Sequence, residues 1–418
     1  MAGGTVTVRF SGPAVIAGAG QVDPAVASPD YPATARQAGE LRGVLDRRAA
    51  AFRQHDRARW LADIDPAATA FRARQAAVLA NAASVPFSVW QYVLDAGQAG
   101  PRPGAQLWTV RVTLHYAFSR VDPLPTDQPQ VLTFHLRAGR WLLRSDTGRT
   151  ADGTRTWRGP WDAGPLVVRL GRNCMVLAHP AHAGELATFA AAVDAAIPRV
   201  TAVWGTRWQR LIAVFIPDSQ QEMGTVVGSR FALTRIAAVA IADRVDTATG
   251  RAWGQRILVN PANLDRLGTL GRQVVLEHEL AHVAARGITG SGMPVWLVEG
   301  FADYVGYRDS DLPTVLIARD LRSEIRAGSW PGKLPGDRDF LGNSARLSVA
   351  YEEAWFACRL VVKRVGVTGL LRLYRLVGTS AQPATAMDGA VRRVLGESLA
   401  RFVVDWRDAA GRELGWSG

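Results

Sequence analysis

Lysine is almost missing from this 418-residue chain: Lys333 and Lys363 are the only two among 49 basic residues, so the formal charge of +12 rests on arginine. The arginines are dispersed among alanine, glycine and valine, as codon bias in a GC-rich genome produces. No run of five or six basic residues, basic segment interleaved with aromatics or zinc-finger spacing accompanies them, so no nucleic-acid partner is expected. Adsorption to an acidic surface is the most such charge implies. Cysteine is scarce as well. Cys174 and Cys358 either bridge or stand as separate buried thiols, and the second is expected, because free cysteine is among the most buried residue types and neither has CxxC spacing. The compartment is therefore not legible from them. The first thirty residues lack a charged leading region and an apolar run of membrane-spanning length, so neither a signal peptide nor an anchor is expected, and the chain as given is expected to be soluble.

A hydrophobic content of 48% and this length suit two domains with substantial cores. Residues 1–35, with scattered Gly, Ala and Pro, read as extended or disordered. Residues 36–145 read as an α+β accessory domain. Leu41, Val44, Leu45 and Phe52 mark an amphipathic helix, Trp60 lies in a second, and Trp108 to Phe118 alternate as a half-buried strand. A further strand through Leu132, Phe134 and Leu136 turns at Ala138-Gly139 into Trp141-Leu142-Leu143, a hairpin. His115 and His135 are placed on the polar face of this sheet, where they could face each other, but with no third ligand nearby they are assigned no chemistry. Residues 146–165, rich in Gly, Thr, Asp and Pro, read as the linker, and 166–412 as a second domain of mixed sheet and helices.

The chemistry gathers in residues 268–307. His278-Glu279-Leu280-Ala281-His282 has the HExxH pattern, and on a helix two histidines four residues apart project from one face, where they can share a tetrahedral metal. Leu276, Leu280 and Val283 supply a separate buried stripe, and Gly287 is expected to end the helix. A catalytic metal takes a third protein ligand. Glu299, seventeen residues beyond His282 on a helix that starts after Pro294, is returned to the imidazoles by a glycine-bearing turn. Asp303 falls one turn further along the same face and is expected to take the other ring proton of His278, fixing its tautomer.

HELAH followed by WLVEGFADYV resembles the gluzincin zinc metallopeptidases, and within them the peptidase-MA-like bacterial families. The resemblance covers roughly residues 165–410. It implies one Zn2+ held by His278, His282 and Glu299, Glu279 as general base, Asp303 behind the ligands, a peptide or protein substrate, and relatives commonly exported or in the envelope. It also implies that the strand containing Ile236, Ala237, Ala238, Val239 and Ala240 is the sheet edge that holds extended substrate through its backbone. Gluzincins often draw the oxyanion donor from a downstream tyrosine or histidine. No histidine follows His282, which leaves Tyr351, with Tyr304, Arg346 and Arg359 as alternatives. Wording that marks an aminopeptidase is absent upstream of the helix, which favours an endopeptidase. The accessory domain, a long helix followed by a curved antiparallel sheet, resembles the cone-shaped nuclear-transport-factor-like and cystatin-like folds. The alternative function is a catalytically inactive zinc-bound interaction protein of the envelope.

Overall fold

The computed structural model describes residues 33–415 except 98, 228–235, 265 and 291; most of the expected extended segment 1–35 lies outside them. The chain is mixed α+β and divides into two compact units, one built from residues 33–169 with 177–186 and the other from 170–176 with 187–415.

The first unit opens with helix α1 (Ala35–Arg53), started by a capping box in which the Thr34 side chain accepts from the Gln37 N–H. α2 (Arg57–Ala62) and α3 (Thr69–Asn81) follow, then strands β1 (Phe87–Leu94), β2 (Leu107–Phe118), β3 (Thr126–Arg137) and β4 (Arg140–Ser145). These pair in chain order into a curled antiparallel half-barrel. Ala138 and Gly139, both at positive φ (46° and 76°), make the two-residue turn between β3 and β4. The face of the sheet towards α1 is aromatic, with Phe52 stacked on Trp90 at 3.6 Å and Phe87, Tyr116 and Trp161 closing round them. His115 and His135 do not face each other. In the β2–β3 register His115 lies opposite Asp127 and His135 opposite Leu107, and each ring pairs with a carboxylate, Asp127 and Asp65 respectively.

Residues 146–165, expected as a linker, are packed into this unit. The Trp157 N–H donates to the Pro129 carbonyl, Arg158 pairs with Asp146 and Asp162, and Trp161, in the short helix α4 (Pro160–Ala163), joins the aromatic cluster. Polar loop composition masked two tryptophans that carry the burial.

Next come β5 (Val167–Leu170), β6 (Cys174–Ala178), α5 (Leu186–Trp204), β7 (Ile212–Ile216), α6 (Gln220–Val227), β8 (Ala238–Ile241), β9 (Arg244–Asp246), β10 (Arg251–Trp253) and β11 (Arg256–Val259). β6, β7, β11 and β8 are neighbours in that order, with β7 and β11 parallel and β8 antiparallel at the end. Every residue of these four strands is buried. Among the described residues one helical stretch, Pro180–Trp204, is long and apolar enough by composition to cross a membrane, yet Val193 and Val200 on it are fully buried as in a core helix.

The remainder is helical: α7 (Pro261–Leu264), α8 (Thr269–Ala285), α9 (Val295–Tyr307), α10 (Thr314–Ile317), α11 (Arg319–Arg326), α12 (Leu347–Gly378), α13 (Pro383–Leu395) and α14 (Leu399–Leu414). α12 is interrupted at Gly366, whose φ of 72° is outside the helical region. Cys174 and Cys358 are both free and buried.

Candidate metal centre

α8 is a core helix that carries ionisable groups. Every residue from Val274 to Ala285 is buried, among them Glu277, His278, Glu279 and His282. Leu276, Leu280 and Val283 supply the apolar stripe, which frees the histidine face to meet α9. α9 begins behind Pro294, with the Val295 N–H donating to the Asp337 carboxylate at 3.0 Å. Two glycines let α9 approach its neighbours closely. A Cβ at Gly300 would sit 2.3 Å from the Ala354 carbonyl of α12, and one at Gly306 would sit 2.7 Å from the Val274 carbonyl of α8. α9 is thus wedged between α8 and α12, which sets Glu299 and Asp303 against the imidazoles.

The Nε2 atoms of His278 and His282 lie 3.0 Å apart, and Glu299 Oε2 is 3.4 Å from each. Donors at about 2.05 Å from a tetrahedral ion would be separated by about 3.3 Å, so the three atoms already have the spacing of ligands around one centre. Among the described residues these three form the group whose ligand atoms fit a metal ion, all within 4.8 Å of one another and all buried. The chemistry of the set agrees. His278 Nδ1 donates to Asp303 Oδ1 at 2.8 Å, which turns Nε2 towards Glu299 Oε2, where it can ligate a metal once its proton is displaced. Both Glu299 oxygens are buried and neither accepts a well-formed hydrogen bond, the two imidazoles standing off at 3.4 Å, so the carboxylate retains capacity for a cation.

The electrostatics follow. Burial works against a charged Glu299, but His282 and His278 outweigh it and hold its pKa down to about 2. Burial likewise opposes a charged His278, and Asp303 and Glu299 overcome it, raising this imidazole well above the usual histidine range. Burial pushes Asp303 up, with His278 pulling the other way.

Of the four oxyanion-donor alternatives, Tyr351 is the one beside this group. Its ring centroid is 6.4 Å from that of His278, and burial together with the nearby Glu299, Asp303 and Glu279 carboxylates pushes its pKa far up, so the hydroxyl keeps its proton. Arg346 is committed to Glu324 and Glu353, and Arg359 to Glu413. The groups acting on Tyr304 are Arg308, Asp309 and Cys358.

The expected edge strand is shorter than its apolar run. Ordered strand begins at Ala238; before it the Ile236 carbonyl accepts from the Asn263 side chain and the Ala237 carbonyl from the Asn260 N–H. Val239 is paired against Leu258. Ala240 is held by side chains instead of standing open: its N–H donates to Glu279 Oε2 at 2.7 Å and its carbonyl accepts from Arg286 Nη2 at 2.8 Å. Arg286 was not singled out from the sequence. The signal was present, since it stands one turn after His282 on the histidine face, but an arginine at a helix end reads as a solvated partner of the helix dipole.

No family model and no curated protein matches the chain.

Proposed function

We propose that the protein is a zinc-dependent hydrolase of peptide bonds, similar in its site to the gluzincins, with the second unit as a gluzincin-type domain and the first as a cone-shaped accessory domain. The observation that carries the reading is the convergence of His278, His282 and Glu299 at the spacing of zinc ligands, with a buried acid on the next residue of the same helix. Zinc is favoured over harder ions because two imidazoles and one carboxylate are its usual catalytic set. Bound there, the ion would supply Lewis acidity, bringing a water towards a pKa of about 7 and polarising a carbonyl.

The chain's own groups do the rest. Glu279 takes the proton of the attacking water and delivers it to the leaving amine. The Tyr351 hydroxyl, protonated throughout the working range, donates to the oxygen on which negative charge develops. Asp303 keeps the His278 proton on Nδ1, so Nε2 stays a donor of electrons.

The test is metal content by elemental analysis together with cleavage of an internally quenched peptide library, on the wild type, Glu279→Gln and His282→Ala. The expected outcome is one zinc per chain in wild type and Glu279→Gln, loss of zinc in His282→Ala, and chelator-sensitive cleavage only in wild type. An active Glu279→Gln would remove this base from the mechanism. A wild type that binds zinc and cleaves nothing would leave an interaction protein.

A further inference from the structure

Arg286 is 1% exposed, wholly inside the second unit, and its Nε and Nη1 have no hydrogen-bond partner among the described residues. A guanidinium in that position is expensive. Burying it incompletely paired costs several kcal/mol, and an apolar side chain of similar volume would serve packing better. Stability therefore does not explain it. Its surroundings do: of the groups that act on it electrostatically, Glu279 acts most strongly, ahead of Tyr374 and Glu299.

The third nitrogen, Nη2, donates to the Ala240 carbonyl, while the N–H of the same residue donates to Glu279 Oε2. Glu279 and Arg286 are seven residues apart, two turns along one face of α8 as continued by Arg286, its C-cap. Together they grip both main-chain groups of one residue on β8, as the backbone of an added strand would. Ala240 lies opposite Ile257 in the β8–β11 register, so its other flank is fixed by the sheet.

We propose that Arg286 is a positioning residue for Glu279: by holding the Ala240 carbonyl it fixes the neighbouring N–H that anchors one oxygen of the base. The orientation of the other oxygen towards the reacting water then follows from the rigidity of α8 and β8, not from a contact with substrate. A second consequence concerns recognition. With both main-chain groups of Ala240 taken by α8, a substrate is not read by strand addition at this residue.

The inference rests on the hydrolytic reading, and its test separates the two. Arg286→Met, Ala240→Pro, which deletes the N–H that Glu279 accepts, and the double variant are compared with wild type on the best-cleaved peptide, with zinc content and thermal stability checked for each. The expected result is kcat lower by about 10- to 100-fold in each single variant. KM should stay within about twofold, as for an interaction that matters only in the transition state. The double variant should be no worse than the poorer single, because both break the same bridge. Arg286→Lys, which keeps a donor, should recover part of the loss. Additive effects, or a zinc-loaded variant of either residue with wild-type kcat, would overturn the positioning role while leaving the hydrolase standing. Amide exchange at Ala240, expected to speed up at least tenfold in Glu279→Ala, which removes the acceptor, and in Arg286→Met, tests the bridge without substrate, and unchanged protection would overturn it. A wild type with no chelator-sensitive cleavage would instead remove the hydrolytic reading, and this one with it.

Discussion

At the scale of single residues, the centre is a set of electron-pair donors forced together, and the partner of His278 decides how well they are aimed. Asp303 fixes the ring through one hydrogen bond worth roughly 1.5–3 kcal/mol when charged. Asp303→Ala should weaken zinc binding about 10- to 100-fold while the fold persists, measured by competition with a chromogenic chelator. Tyr351→Phe removes one donor and nothing else; kcat should fall about 100-fold with zinc content unchanged, read from steady-state kinetics beside elemental analysis. An unaltered kcat would exclude the hydroxyl. The positions of His278, His282, Glu299 and Asp303 were readable because helical spacing converts sequence distance directly into a shared face. The Ala240 bridge was not, since it joins a main-chain N–H and a main-chain carbonyl of a strand to two side chains, and such pairing leaves no trace in residue type.

At the scale of elements, the position of α9 depends on two residues without side chains. Gly300→Ala drives a methyl group into the Ala354 carbonyl, so α9 and α12 must separate by the better part of an ångström, carrying Glu299 with them. The expected outcome is a loss of about 1–3 kcal/mol in unfolding free energy, measured by denaturant titration, and weaker zinc binding alongside it. α12 also buries two adjacent acids. Burial pushes Glu352 up to about 8 and Glu353 up to about 7, against an ordinary value of 4.5. An acid whose folded pKa is raised keeps its proton in the folded chain after the unfolded chain has lost it. Its stabilising contribution is whole below about pH 4.5 and is eroded as pH rises towards 8. The Tm of chelator-treated protein should therefore fall between pH 5 and pH 8, and Glu353→Gln should make that fall shallower; a Tm that rises over this interval would contradict the assignment. Not every element was legible. α3 has only Phe71, Gln75 and Leu79 buried at helical spacing among alanines and arginines, too sparse a stripe to stand out, and residues 146–165 hid their burial in two tryptophans.

At the scale of the whole molecule, the coarse α+β division was visible in the change from period-two to helical patterning, whereas the limits of the units depend on chain segments that cross between them, such as residues 177–186. The metal-fitting group lies entirely within one unit. Calorimetry of the full chain should resolve two transitions, of which zinc raises only one, because a ligand stabilises just the cooperative body that binds it. A zinc shift shared equally by both would mean that they unfold together. The two thiols, finally, have a practical corollary. Cys174 and Cys358 are 3% and 0% exposed, so maleimide reagents should pass over the folded chain. A cysteine engineered onto the surface would then be the sole site of labelling, and fluorophores could be installed on either unit without first deleting a native sulfur.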